Sequence, residues 1–473
     1  MTQPAILWIL LALYLGGMLA IAVWSARTKV SSMEDMAIAG RSVGPWLIAL
    51  AVVATWINGV TLIANPGLGK LYGVSAYWCT AGFLVGTIWS GYYLVSKLRQ
   101  LNIITIPELF DRAYGPTHGL VSLVLVLLRD LGATAGVLGA MASVTSYLLG
   151  IGLLPSLLIT FGVTIVLVVL GGMWAVMITD AVQCVIIFAG SLVLLAVALI
   201  KVGGFRQVAA ETSDPLLFAH IGNAGGGQQL GWFVMGFAIT CSYQTMVQRG
   251  LAAKTSDIAR KGFIYGGLIS LLWYMAPYAI GVVGSVLYGD EVKPDDLILT
   301  MSRELLNPFW GALLVVTLLA ASMSTLDSTV NTIASNFTID VYRRFLHPTA
   351  SQRRLFLVSR INVVVAGLVA ALIYYMVPMM MELFWLGGRI MASALSPVLV
   401  GFLFVPAVRR APKAVMTTFV LGSAAAIASQ ILIPNTKVPG SAALIWDLDP
   451  ILVSLPLAIV TLAIGTWIET RRT

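Results

Sequence analysis

Thirteen times along this chain an apolar run of roughly 18 residues or more passes with almost no charge, and about 30 Å of hydrocarbon demands a helix of that length. By approximate limits the runs are A 6–26, B 46–74, C 76–98, D 118–149, E 154–172, F 175–200, G 229–251, H 262–288, I 309–336, J 356–378, K 383–407, L 414–433 and M 450–469. Only 10% of residues are charged, under half of the roughly 25% that a soluble surface carries. Soluble enzymes, nucleic-acid binders and disordered scaffolds are therefore excluded. The expectation is an all-α polytopic membrane protein of thirteen transmembrane helices.

Lysine and arginine placement sets the direction of threading, because basic residues stay on the cytoplasmic side. With the N-terminus outside, twenty of the 28 basic residues fall in inner segments or span ends, from Arg27, Lys29 and Arg41 through Arg249 and Lys254 to Arg471 and Arg472. Six fall outside, and Arg129 and Arg389 lie well within spans. The reading is N-out and C-in, in a cell membrane, with the bilayer rather than nucleic acid as partner of the +8 charge. Cys79, Cys184 and Cys241 show no CxxC or metal spacing and read as packing residues. The first run begins near Pro4 with no basic flank, unlike a cleaved signal. There is no P-loop and no soluble segment beyond about 30 residues, which argues against ATP-driven pumping.

Five ionisable groups sit within spans: Asp130 and Arg129 in D, Asp180 in F, Asp327 in I and Arg389 in K. Each costs about 2.5–3.5 kcal/mol at a helix centre on insertion scales, so partners or a wet cavity are required. Arg129 and Asp130 are candidates for pairing with other helices, Arg389 for pairing with Asp130. Asp180 and Asp327 have no adjacent base in sequence and point to an ion or solute path.

Span I holds the sharpest local pattern. Ala321, Ser324, Thr325 and Ser328 share one helical face, with Asp327 beside it. Two hydroxyls next to the Ala321 carbonyl suit a small hard cation once a neighbouring unwound helix adds carbonyls; the alternative is ordinary back-bonding to i−4 carbonyls. Span B supplies such a neighbour, since Asn58-Gly59 and Asn65-Pro66-Gly67 are turn-forming pieces that break the helix and free the carbonyls of Ala54 and Ile57. In span G, Gly231, Gly236 and Thr240 to Gln244 interrupt the helix comparably. B to F and G to K are two sets of five, and an odd count makes them an inverted repeat. The expected organisation is an extra helix and loop over 1–45, a first repeat over 46–201, an outer loop and second repeat over 202–408, and two C-terminal helices over 409–473.

Four pieces in these spans carry a resemblance: Ala39 to Trp46, Gly171 to Gln183, Gln248 to Lys254, and Ala320 to Ser328 followed by Asp340 to Arg344. Together they are similar to the sodium:solute symporter family, the relatives of proline, glucose, sialic acid and pantothenate symporters. The resemblance implies a LeuT-type core and Na+ as coupling ion. It implies a sodium site made by the backbone oxygens of Ala54, Ile57 and Ala321 and the hydroxyls of Ser324 and Thr325. A second cation site of some members maps onto Asp180, Ser324, Asp327 and Ser328, but sialic-acid-type members have serine where Asp327 stands, so the site is altered or the acid serves protons. Substrate contacts map to Trp56, Asn58 and Thr61 in span B and to Thr240, Ser242, Tyr243 and Gln244 in span G. Trp56 replaces the aspartate of the proline relatives, which removes the counter-charge for an amino acid's ammonium. An uncharged polar solute or a small carboxylate is favoured, with Arg129 and Arg389 as anion partner or gate.

The function expected is a secondary active symporter that takes up a small organic solute by alternating access. A proton-coupled symporter of the same fold and a solute sensor remain as alternatives. No HExxH or GxSxG motif supports an enzyme, and His118, His220 and His347 lie in loops or at span ends, away from any proton relay. No obligatory protein partner is implied.

Overall fold

A computed structural model of the protein describes residues 3–212, 225–377, 380–433 and 448–472. His220 and Lys437 lie outside them. The described residues are helical, with no strand and a single isolated bridge between Val43 and Ala253. The helices that frame the site are α1 (Gln3–Thr28), α2 (Pro45–Trp56), α3 (Gly59–Tyr72), α4 (Trp78–Tyr93), α5 (Ile106–Tyr114), α6 (Pro116–Leu149), α7 (Leu153–Val202), α8 (Gly226–Ser242) and α9 (Gln244–Leu251). They continue as α10 (Ser256–Trp273), α11 (Met275–Tyr288), α12 (Pro308–Asn336), α13 (Gln352–Met376), α14 (Met380–Phe404), α15 (Pro412–Leu432) and α16 (Ile451–Arg472).

Among the described residues ten helices are long and apolar enough to cross a membrane, and eleven when the pair α8–α9, bent by 47°, counts as one span. Two of the thirteen expected runs are interrupted, so that their pieces are not counted as separate long helices. Run B divides at Ile57–Asn58, leaving the short Pro45–Trp56 helix while its second half continues toward run C. Run E is a short apolar helix, Leu153–Val166, and α7 bends at Gly172, whose φ of 55° only glycine adopts readily.

Burial divides the helices into a core and a lipid-facing shell. The most apolar window of α12 is 83% buried, against 17% for α1 and 28% for α13 and α16. α12 is thus enclosed, and it packs on α6 and α7 with the break between α2 and α3 against its middle. Its start is set locally: Asn307 caps the amides of Phe309 and Trp310 and Pro308 follows at the first turn.

Helix α4 meets α8 backbone to backbone. A Cβ on Gly82 would fall 2.0 Å from the Phe233 carbonyl oxygen, and Gly86, one turn on, faces Phe237 at 3.0 Å. In lipid, such small-residue faces are how helices gain close packing. Gly82→Val is expected to lower the unfolding midpoint of the detergent-purified protein by several degrees, since overpacking costs about 1–3 kcal/mol. Gly16→Val, with nothing within 4 Å, leaves it unchanged; equal midpoints would contradict this packing.

Candidate functional site

The break between α2 and α3 comes from one residue pair. Ile57 leaves the helix at φ −91°, ψ 99°, and Asn58 is extended. Asn58 Oδ1 accepts from the Thr61 amide at 3.0 Å, and Thr61 Oγ1 accepts from the Asn58 amide at 3.0 Å. In an unbroken helix the Asn58 amide would return to the Ala54 carbonyl. Diverted into this capping box, it leaves Ala54 to another partner. Ser324 Oγ supplies it from α12, 3.2 Å from the Ala54 oxygen and 2.9 Å from the Ala321 oxygen. Gly59 permits the approach, because a Cβ there would fall 1.9 Å from Ser322 Oγ.

Three of the five oxygens expected to hold sodium therefore meet at Ser324. All five residues are buried, and Thr325, 1% exposed, has no hydrogen-bond partner for its Oγ1 among the described residues. A serine hydroxyl has one proton to give to two carbonyls. The donor set is thus rich in oxygen and poor in hydrogen, which fits a hard cation such as Na+.

The second cation position is arranged differently from the sequence expectation. Asp180 does have a base: Arg249 Nη2 lies 2.7 Å from Asp180 Oδ2 and 2.6 Å from Ser328 Oγ. The same guanidinium donates to the Ala51 carbonyl at 3.0 Å and to the Thr245 carbonyl at 2.9 Å. Arg249, assigned by charge counting to the inner flank, is fully buried and ties α2, α7, α9 and α12 together. Asp327 is 3% exposed and its Oδ1 is unpartnered.

The other two arginines in spans also find partners. Arg389 Nη2 is 3.1 Å from Asp449, and its Nη1 donates to Gln430. Its carboxylate is therefore Asp449, not Asp130. The Arg129 guanidinium lies 4.7 Å from the centre of the Tyr243 ring.

Beside the break is a cavity lined by Trp56, Thr61, Asn65, Phe83, Tyr274 and Trp385 among others, none of them charged. Tyr243 reaches it only through the Trp56 ring, 5.8 Å away. The other span G candidates are engaged elsewhere: Thr240 donates to the Gly236 carbonyl at 2.9 Å, and Ser242 meets Ser396 at 2.7 Å. Gln244 accepts from the Ile106 amide at 2.8 Å, at the start of α5. Sequence reasoning missed Arg249, Phe83, Tyr274 and Trp385 as site residues, and read Asn65 only as part of a turn-forming Asn65-Pro66-Gly67 that lies instead within the α3 helix.

Removing Arg249 alone strands a buried carboxylate, which costs about 3–5 kcal/mol. Arg249→Met is therefore expected to unfold at a markedly lower temperature than the parent, and Arg249→Met with Asp180→Leu to recover part of the loss. A double variant no more stable than the single one would show that the pair does not carry this load.

Comparison with known proteins places the chain among relatives. The chain is 24% identical over 421 residues to a high-affinity choline transporter of Caenorhabditis elegans, covering 82% of this chain and 72% of the relative. It is 28% identical over 376 residues to an osmoregulated proline transporter of Bacillus subtilis, covering 77% and 76%. In fold it is similar to a Na+-coupled sialic acid symporter solved in a substrate-bound outward-open state, with TM-score 0.85, 18% identity and coverage of 99% and 98%. The model of the sodium:solute symporter family matches residues 37–414, and the chain belongs to that family as a multi-pass membrane protein.

Proposed function

We propose that the protein couples inward Na+ flow to uptake of a small organic solute by alternating access. This reading takes the thirteen runs as spans, N-out and C-in, with inverted repeats over 46–201 and 202–408 between an N-terminal helix over 1–45 and a C-terminal pair over 409–473. The observation that carries it is the Ala54 carbonyl, freed by the Asn58 capping box and met by Ser324 beside the unpartnered Thr325 hydroxyl. Na+ bound there bridges a broken helix to an unbroken one, and so favours whichever state holds the two together.

The guanidinium of Arg249 already satisfies Asp180 and Ser328, so we assign one Na+ to each cycle. One Na+ moving down 100 mV releases about 2.3 kcal/mol, and a tenfold concentration ratio adds about 1.4. The sum of about 3.7 kcal/mol supports several-hundred-fold accumulation of a neutral solute. The solute occupies the cavity beside the break, reached by Trp56 and Thr61. Arg389 is held by Asp449, and Arg129 does not line the cavity, so a carboxylate finds no counter-charge in its walls.

NaCl is expected to raise the unfolding midpoint of the purified protein above its value in KCl, as any ligand of the native state does, with a Hill coefficient near one. Ser324→Ala with Thr325→Ala is expected to abolish that difference while melting like the parent in KCl. Sodium stabilisation that survives in the double variant would remove the site assignment.

A further inference from the structure

The cavity beside the helix break has walls of an unusual chemistry. Trp56, Phe83, Tyr274 and Trp385 supply four aromatic rings, and no lining residue is charged. The rings form adjoining walls rather than a stack: Trp56 and Phe83 are 4.8 Å apart and tilted by 49°, Phe83 and Trp385 are 6.0 Å apart and tilted by 40°. The polar handles of Trp56 and Tyr274 are already spent. Trp56 Nε1 donates to Thr87 Oγ1 at 2.9 Å, and the Tyr274 hydroxyl donates to the Trp56 carbonyl. What the Trp56, Phe83 and Tyr274 rings have left to offer a solute is π surface.

The hydrogen-bonding groups are spent almost as fully. Thr61 closes the capping box and lies 3.0 Å from the Asn58 carbonyl, while Thr80 donates to the Tyr77 carbonyl at 3.2 Å. Asn65 is the exception: the residue is 2% exposed and Nδ2 has no partner among the described residues. A sugar would bury several hydroxyls against little more than the Asn65 amide, each unmet group costing about 1–3 kcal/mol. A primary ammonium would need three acceptors. A methylated ammonium needs none, and it is the cation that aromatic faces recognise.

We propose that this cavity takes the methylated ammonium head of an organic cation or zwitterion against Trp56, Phe83, Tyr274 and Trp385, with an oxygen of the same solute accepting from Asn65 Nδ2. The inference rests on the symport reading, since it names the solute of that site. The Arg129 guanidinium stands over Tyr243 rather than in the lining, next in sequence to the carboxylate of Asp130.

The test uses the unaltered full-length protein in detergent and in proteoliposomes. Choline, glycine betaine and tetramethylammonium are titrated in NaCl and in KCl, beside 3,3-dimethylbutanol, the uncharged carbon isostere of choline, and a panel of proline, glucose and lactate. At least one trimethylammonium probe is expected to stabilise the protein in NaCl, with an affinity at least tenfold above that of the isostere, and to be accumulated when a sodium gradient is imposed. Phe83→Leu and Trp385→Leu are expected to weaken that probe at least fivefold, and Asn65→Ala to weaken choline and betaine but not tetramethylammonium. Equal binding of choline and its isostere would overturn the cationic assignment. Sodium-driven accumulation of proline, glucose or lactate with no ammonium probe bound would overturn it and leave the symport reading standing. Ammonium binding that is indifferent to sodium, with no uptake, would keep the aromatic assignment and overturn the coupling.

Discussion

Everything at the centre of this molecule depends on where one backbone amide goes. Had the Asn58 N–H bonded to Ala54, α2 and α3 would be one helix with its carbonyls satisfied. Thr61 takes that amide instead, and the cost of the lost helical bond is offset by a reciprocal cap. The Ala54 carbonyl is then exposed to α12 deep in the protein, where water is not available to satisfy it. In that setting a backbone oxygen is a ligand, and the small residues around it, Gly59 and Ser324, let the two helices come close enough to share it.

One turn below, the Arg249–Asp180 pair solves a different problem. Two charges in the protein interior are expensive separately and tolerable together when their remaining hydrogen-bonding groups are met. Arg249 meets them with the Thr245 carbonyl of its own helix and, on two other helices, the Ala51 carbonyl and the Ser328 hydroxyl. A pair built this way brings little net stability, but it fixes the registry of the helices it joins. Those helices include the two that carry the residues proposed to hold sodium and the helix break, so the geometry of the proposed ion site is set by a charge network built from other side chains.

How much of this was legible in the sequence divides along one physical line. Features local in the chain were readable: Asn58-Gly59 announced a break, the spacing of Ala321, Ser324 and Thr325 announced a face, and Gly172 fell at the expected junction of runs E and F. Features made by distant contacts were not. Asp180 and Arg249 are 69 residues apart, and charge counting moved Arg249 to the flank because it stands near the end of an apolar run. Gln244 resembles a ligand residue by type, yet its amide group anchors Ile106, 138 residues away. Arg389 found Asp449, 60 residues on, and Trp385 joined Phe83 from the far half of the chain. Thr325 is the instructive middle case, because its position was readable while its lack of any partner appears only when the surrounding helices are in place.

Trp56 shows why ion and solute respond to one another. It is the last residue of α2; its backbone carbonyl accepts from Tyr274, while its ring lines the cavity. Two residues back, the Ala54 carbonyl meets Ser324. A solute pressing on the Trp56 and Tyr274 rings and an ion held at Ala54 therefore act on the same helix end. With the proposed ion and solute sites, each would pin the α2 terminus that the other needs, so binding of one would lower the ordering cost of the other, and linkage makes such an effect reciprocal. The unbroken α12, enclosed on all sides, gives that terminus something fixed to be pinned against.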